Sequence, residues 1–254
     1  MTGVRSPVSA VALLAIATAA SGQHEPQWSP DHKRYAVAEE GQTVGQGQER
    51  ERIVVYTSVG VRVAVASVWT VQPDGAIRAG IRGCERWGWV DAARVFCEGT
   101  INPSTSIYLV FDASTGRELD EGIGGRFTWS PDRKHLANHG NVPHFSSWEE
   151  KSDSLEVDGK EVYPNDEEGK KRHWFLTDPV WSIDSRRVAV VDYERTSKRL
   201  FLVVRPLAAK ATEYPLPWTI SADEDAPAPT FSVRWQATGV IVEHDGRQQP
   251  GAAK

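Results

Sequence analysis

The apolar positions of this chain recur around a short unit in which one strand ends on Trp, a polar turn follows and a second apolar strand begins. The clearest copy spans residues 127–137, and near-copies start at Trp28 and Trp181. Ser follows the Trp, Pro (Ile183 in one copy) presets φ at the second turn position, and Asp occupies the third, which is typical of a type I turn. Each unit therefore predicts a β-hairpin, and the Ala in its second strand lets a neighbouring sheet approach closely.

Weaker copies of the unit extend the repeat along the whole chain. The five units start at Trp28, Trp89, Trp129, Trp181 and Trp235, with spacings of 40 to 61 residues. Periods of this size are typical of propeller blades, which are four-stranded sheets that must stack on one another. The pattern predicts an all-β chain forming a five-bladed β-propeller. The last unit is too short for a full blade, so we expect that blade to be incomplete or to be completed by the N-terminal segment.

Other segments supply the remaining strands. The Asp158-Gly159 pair predicts a hairpin within residues 155–163. Residues 138–148 have loop chemistry where a strand of the third unit would be expected. Apolar patterning predicts further strands at residues 52–57, 61–66, 106–112, 198–204 and 211–216.

The composition sets the class of protein. The 254 residues are 40% hydrophobic, enough for one all-β domain, and the formal charge of −5 argues against a nucleic-acid partner. Residues 1–22 combine Arg5, a short apolar run and small residues, which predicts a secretory signal peptide. An uncleaved anchor is the alternative. We therefore expect a propeller domain at residues 23–254, soluble after cleavage and periplasmic or secreted.

The predicted export of the protein also affects the expected oxidation state of its cysteines. Cys84 and Cys97 are the only two in the chain. They flank Trp89 on the two arms of a predicted hairpin, and an oxidising compartment favours a disulfide between them. The alternative is a pair of buried free thiols.

The Trp-Ser-Pro-Asp unit resembles the propeller repeat of the TolB family and the related WD-like repeats of periplasmic and peptidase-associated propellers. The copies at Trp28 and Trp129 match closely, and those at Trp89 and Trp235 keep little beyond the Trp and the following strand. Only the predicted signal peptide and a few residues precede Trp28 in this sequence, so we expect neither the N-terminal domain of TolB nor the hydrolase domain of propeller peptidases. The resemblance implies a fold, and many functions use that fold.

The common catalytic signatures are missing from the chain: we find no nucleophile elbow, phosphate-binding loop or zinc-binding motif. His135, His139 and His144 are the densest set of potential metal ligands, and His135 and His139 would face the same side of an extended chain. Gly140 and Pro143 indicate a loop, and no further ligand stands at a fixed spacing from that pair, so a surface loop with hydrogen-bonding His is expected. The acidic runs 165–168 and 223–225 lack calcium-loop spacing and are interpreted as solvated loops. No metal and no cofactor are predicted.

Loop aromatics outside the Trp repeat are the remaining candidates. Phe145, Trp148, Trp174 and Trp218 form either a binding face or packing between blades. We predict an exported binding or interaction module, a monomer with a protein partner in the cell envelope, whose contacts are Trp148, Trp174, His144 and Phe145. The alternative is a carbohydrate-active or other hydrolytic propeller using two or more axial carboxylates. A stabilising partner without a ligand is a third possibility.

Overall fold

The computed structural model describes residues 25–76, 83–102, 105–140, 153–164, 173–220 and 230–251. Within these ranges every regular element is a β-strand and no helix occurs, so the all-β prediction is confirmed. The predicted signal peptide lies outside the described residues. The strands form four antiparallel sheets, which we divide into five segments, called repeats, so that each contains one of the five Trp units.

The first two repeats include nine strands. Repeat 1 contains β1 (Gln27–Trp28), β2 (Arg34–Glu40), β3 (Thr43–Val44), β4 (Gly47–Thr57) and β5 (Arg62–Val71). Repeat 2 contains β6 (Arg86–Trp89), β7 (Arg94–Asn102), β8 (Thr105–Asp112) and the first half of β9 (Glu118–Trp129).

The other three repeats contain between three and five strands each. Repeat 3 contains the second half of β9 with β10 (Leu136–His139), β11 (Leu155–Val157) and β12 (Lys160–Tyr163). Repeat 4 contains β13 (His173–Phe175), β14 (Val180–Trp181), β15 (Arg187–Glu194), β16 (Arg199–Pro206) and β17 (Thr212–Pro215). Repeat 5 contains β18 (Phe231–Gln236), β19 (Gly239–His244) and β20 (Arg247–Gly251).

Neighbouring strands pair antiparallel throughout. Strand β9 belongs to two repeats, because its first half pairs with β8 and its second half with β10. Repeats 2 and 3 therefore form one seven-stranded sheet. In repeat 4 both β13 and β14 pair with β15. Repeat 5 has three strands, and β1 pairs with β2 in repeat 1, so within the described residues the N-terminal strand does not complete the last sheet.

Each Trp hairpin is held by its own turn residues. Ser29, Ser130 and Ser182 are buried, and the hydroxyl of each donates to the Asp two residues later at 2.6–2.8 Å. The same hydroxyl accepts the N–H of the residue five positions later. The hydrogen bond from Ser lowers the pKa of Asp31, Asp132 and Asp184 below its ordinary value. The sequence unit thus forms the turn through local hydrogen bonds.

Successive repeats pack face to face through apolar side chains. One cluster joins Ile53 of repeat 1 to Leu109 of repeat 2, and similar clusters lie between repeats 2 and 3, 3 and 4, and 4 and 5. The Trp indoles add a repeated polar contact. The Nε1 atoms of Trp89, Trp181 and Trp235 donate to the carbonyl of the residue just before the Trp of an earlier repeat, at 2.9–3.0 Å. Antiparallel sheets that pack face to face are typical of β-propellers.

The predicted disulfide is confirmed. Cys84 and Cys97 are joined, with Cα atoms 5.2 Å apart, and both lie in the cluster between repeats 1 and 2. The loop prediction for residues 138–148 is wrong at its start, since Asn138 and His139 belong to β10 and are buried. They pair with Glu156 and Leu155 of β11, which come more than a dozen residues later in the sequence. Residues 141–148 lie outside the described ranges.

Candidate functional site

A cleft of about 410 Å³ opens where β9 passes from repeat 2 to repeat 3. One wall comes from β8 and the first half of β9, and the other from β10, β11 and the turn after β11. Its volume falls in the range of small-ligand pockets. The side chains that line it are aromatic, aliphatic or charged: Arg94, Tyr108, Val110, Asp120, Glu121, Ile123, Trp129, Lys134, Leu136, Asn138, Glu156 and Asp158.

Two aromatic residues form the floor of the cleft. Tyr108 is buried, and its hydroxyl accepts a hydrogen bond from Trp129 Nε1 at 2.6 Å. Burial raises the pKa of Tyr108 above its ordinary value, so the phenol stays neutral. The Arg94 guanidinium lies 5.1 Å from the Trp129 ring centre and pairs with Asp91 at 2.7 Å. The floor is therefore apolar, rigidly held and close to electrically neutral.

Carboxylates stand on both walls. Asp120 and Glu121 lie on β9 and are exposed. Across the cleft, Glu156 accepts a hydrogen bond from the Asn138 side-chain amide at 3.0 Å, which orients its carboxylate. Asp158 contacts His135 Nδ1 at 2.8 Å and the backbone of the β10 hairpin.

The lining of the cleft contains more carboxylates than cationic side chains. Four carboxylates line it against Arg94 and Lys134, and Arg94 already pairs with Asp91 outside the lining. Ile123 adds an aliphatic side chain that is 44% exposed. Cationic groups are attracted both to carboxylates and to aromatic faces. Chemically, the arrangement suits a ligand with positive and apolar parts.

A second polar cluster is buried at the edge of repeats 3 and 4. His173 Nδ1 lies 2.6 Å from Asp192 Oδ2, and both side chains are almost fully buried. The Tyr163 hydroxyl contacts the same Asp192 oxygen at 2.8 Å and the exposed Glu213 at 3.1 Å. Burial raises the pKa of Asp192, while His173 partly offsets that rise. Two carboxylates thus converge on one tyrosine, but the inner one has no exposed surface.

Sequence reasoning missed both clusters. One signal for the buried cluster was available, because Asp192 interrupts the apolar run of β15 and a buried charge in a strand requires a partner. The partner itself was not predictable, since His173 and Tyr163 lie on other strands. The cleft gave a weaker signal, the Asp120-Glu121 pair in a segment with exposed aliphatic neighbours.

The expectation that His135, His139 and His144 lie in a surface loop is wrong for His139. His139 is buried in β10, where its Nε2 donates to the Thr177 carbonyl at 3.1 Å and its ring meets Phe175 edge-on. Burial, with help from Arg126, lowers the pKa of His139 to about 3. His135 contacts Asp158 instead. Within the described ranges, no three His, Cys, Asp or Glu side chains are placed to hold a metal ion.

Of the four predicted binding residues, only Trp174 lies in the described ranges. It is half-buried in β13, meets Tyr193 edge-on and packs against the cluster between repeats 4 and 5. His144, Phe145 and Trp148 lie outside the described residues, as do both acidic runs. The binding role of these four residues stays a prediction.

A smaller aromatic site lies on repeat 5. Trp218 packs edge-on against Phe231 and His244, and His244 stacks on Phe231 with ring centres 4.2 Å apart. A cavity of about 400 Å³ beside them is lined by Thr219, Arg247 and their neighbours. Residues 221–229, which follow this site in the sequence, lie outside the described ranges, so the cleft in repeats 2 and 3 is the better-defined candidate.

No helix in the described part of the chain is long and apolar enough to cross a membrane. Comparison with known proteins found no matching family model and no matching curated protein.

Among solved structures, the β-propeller domain of the Trilobed protease from Pyrococcus furiosus is 14% identical with a TM-score of 0.44, and the match covers 91% of this chain and 71% of that one. A prolyl endopeptidase is 14% identical (TM-score 0.45; 87% of this chain, 32% of that one). Prolyl oligopeptidase B from Galerina marginata is 13% identical (TM-score 0.43; 87% and 33%). The chain thus spans about a third of these two peptidases, and at this similarity nothing about its chemistry follows from them.

Proposed function

We propose that this chain is an exported five-bladed β-propeller, with a three-stranded last blade, that binds a protein partner through the cleft formed by repeats 2 and 3. The five Trp hairpins and the apolar clusters between successive repeats support the blade count. The Cys84–Cys97 disulfide supports export, because such bonds persist in oxidising compartments such as the periplasm or the extracellular space.

The observation that carries the binding role is the cleft itself. A rigid aromatic floor, held by the Trp129–Tyr108 hydrogen bond, lies between walls that both bear carboxylates. Pockets with an apolar base and a few placed polar groups are the usual form of a recognition site. The hydrolytic alternative requires two carboxylates flanking an open pocket. The buried Asp192 next to Glu213 does not meet this requirement, but Asp120 and Glu156 stand on opposite walls of the open cleft, so hydrolysis in the cleft is the second candidate function.

The test is capture of partners from a cell-envelope extract by the mature chain. The cleft variant combines Asp120→Asn with Glu156→Gln, which keeps both hydrogen-bond acceptors and removes two charges. The matched control, Glu25→Gln with Glu40→Gln, removes two charges from exposed positions on repeat 1. We expect the wild type and the control to capture the same protein and the cleft variant to lose it. Equal capture by all three would refute the cleft as the binding site.

A further inference from the structure

The first half of β9 forms an open edge of its sheet beside the cleft. Residues 118–124 pair with β8 on one side, and within the described ranges no strand pairs with their other side. Open edges offer unpaired backbone groups to an incoming strand, and proteins usually protect them with Lys, Pro or a covering segment. Here Leu119 and Ile123 are 41% and 44% exposed on this strand. The exposed aliphatic side chains therefore give this edge an apolar surface on which another strand can pack.

The charge of this edge selects among possible strands. Asp120 stands on this edge, where its carboxylate accepts the backbone N–H of Glu121 at 2.9 Å, and residues 118–124 include no Lys or Arg. A second copy of the same edge would bring like charges face to face, which is unfavourable in a strand pair. An incoming strand with Lys or Arg would meet carboxylates on β9 and, across the cleft, on Glu156. Charge complementarity therefore disfavours self-association through this edge and favours a basic segment.

We propose that the partner is a protein that presents an extended, basic segment, which adds as a further strand to the open edge of β9. This inference rests on the proposed binding function and specifies its ligand. Alternating side chains of an added strand point to opposite faces. One set would place Lys or Arg side chains in the cleft between Asp120 and Glu156, and the other set would cover the exposed aliphatic side chains. Backbone hydrogen bonds would supply affinity, and the charged cleft would supply selectivity.

The probe is a short fluorescein-labelled peptide that alternates lysine and valine, and its binding to the mature chain is measured by fluorescence anisotropy. A peptide with glutamate in place of lysine tests the charge. A lysine–valine peptide that is N-methylated at every residue tests the strand, because neither of its edges can donate backbone hydrogen bonds to β9. We expect only the unmethylated basic peptide to bind, with an affinity that falls as salt is added.

Two variants locate the site. Ile123→Lys puts a positive charge on the open edge, and we expect it to weaken binding by about tenfold or more. Ile183→Lys makes the same change at a turn residue that is 76% exposed and does not line the cleft, and it should bind as the wild type does. Circular dichroism of both variants checks that they are folded. Asp120→Asn with Glu156→Gln removes two negative charges but keeps the size of both side chains. This variant should therefore bind more weakly although the shape of the cleft is unchanged.

Each contrary result has a distinct meaning. Equal binding of the acidic peptide, of the methylated peptide or by the Ile123→Lys variant would overturn the proposed strand addition, and so would no binding at all. If capture from the envelope extract still depends on Asp120 and Glu156, the proposed function survives and only the ligand class is wrong. If that capture also fails, the binding function itself is refuted.

Discussion

His139 should make the protein less stable as the pH falls below neutral. The side chain is buried between repeats 3 and 4, where its neutral ring donates one hydrogen bond to the Thr177 carbonyl. Burial disfavours the charged imidazolium, and Arg126 adds repulsion, so the native pKa lies at about 3 against an ordinary value of 6.5. The unfolded chain exposes the ring and titrates near the ordinary value.

The sign and the size of the effect follow from these two values. Because the folded pKa is depressed, the stabilising contribution is fully present above pH 6.5 and is lost as the pH falls towards 3. At about pH 5 the unfolded state has nearly completed its protonation while the native state has hardly begun, so the free energy of unfolding falls by about 2 kcal/mol relative to neutral pH. This is a large part of the stability of a typical domain.

Urea unfolding followed by circular dichroism at about pH 7.5 and pH 5 measures the difference. His139→Gln keeps a donor for Thr177 and removes the titrating ring. We expect the variant to lose about 2 kcal/mol less than the wild type between the two pH values, whatever its stability at neutral pH. His135→Gln, at a partly exposed histidine, is the control and should keep most of the wild-type loss. If His139→Gln loses as much stability as the wild type, His139 is already protonated in the native state or is accessible to water.

Removing the disulfide by Cys84→Ala with Cys97→Ala should lower the free energy of unfolding by about 3 kcal/mol, since the unfolded chain gains freedom. Unchanged urea midpoints with and without reductant would contradict this, as would alkylation of both thiols without reductant. Trp181→Phe should cost about 1 kcal/mol or more, because the indole N–H loses its bond to the Thr128 carbonyl. Trp28→Phe should lower the free energy of urea unfolding by less, because Trp28 is 48% exposed. Equal losses for the two variants would show that the repeated indole contact does not stabilise the fold.

Local chemistry explains which predictions succeeded. The Ser-Pro-Asp turn needs only residues within one hairpin, so Ser130 and Asp132 form the expected hydrogen bonds in the structure. The disulfide joins the arms of one hairpin region and was predictable for the same reason. The hairpin at Asp158-Gly159 is also present, with both residues at positive φ.

Long-range pairing explains what was missed. Asn138 and His139 resemble loop residues because they are polar, yet pairing with β11 and packing against Phe175 bury them in a strand. The cleft depends on β9 leaving one repeat and entering the next, which places Asp120 opposite Glu156. No local sequence pattern predicts that Asp120 and Glu156 lie on opposite walls of one cleft.

The sequence by itself determined the all-β class, the Trp hairpins and the disulfide, because each depends on turn chemistry and on the alternation of apolar residues over short distances. Only the tertiary structure decided which polar residues are buried and which line a cleft. A strand repeats its side-chain direction every two residues, but the environment of each face is set by the repeat that packs against it. For that reason Asp192 is enclosed next to His173 while Asp120 faces the open cleft, although both are carboxylates on β-strands.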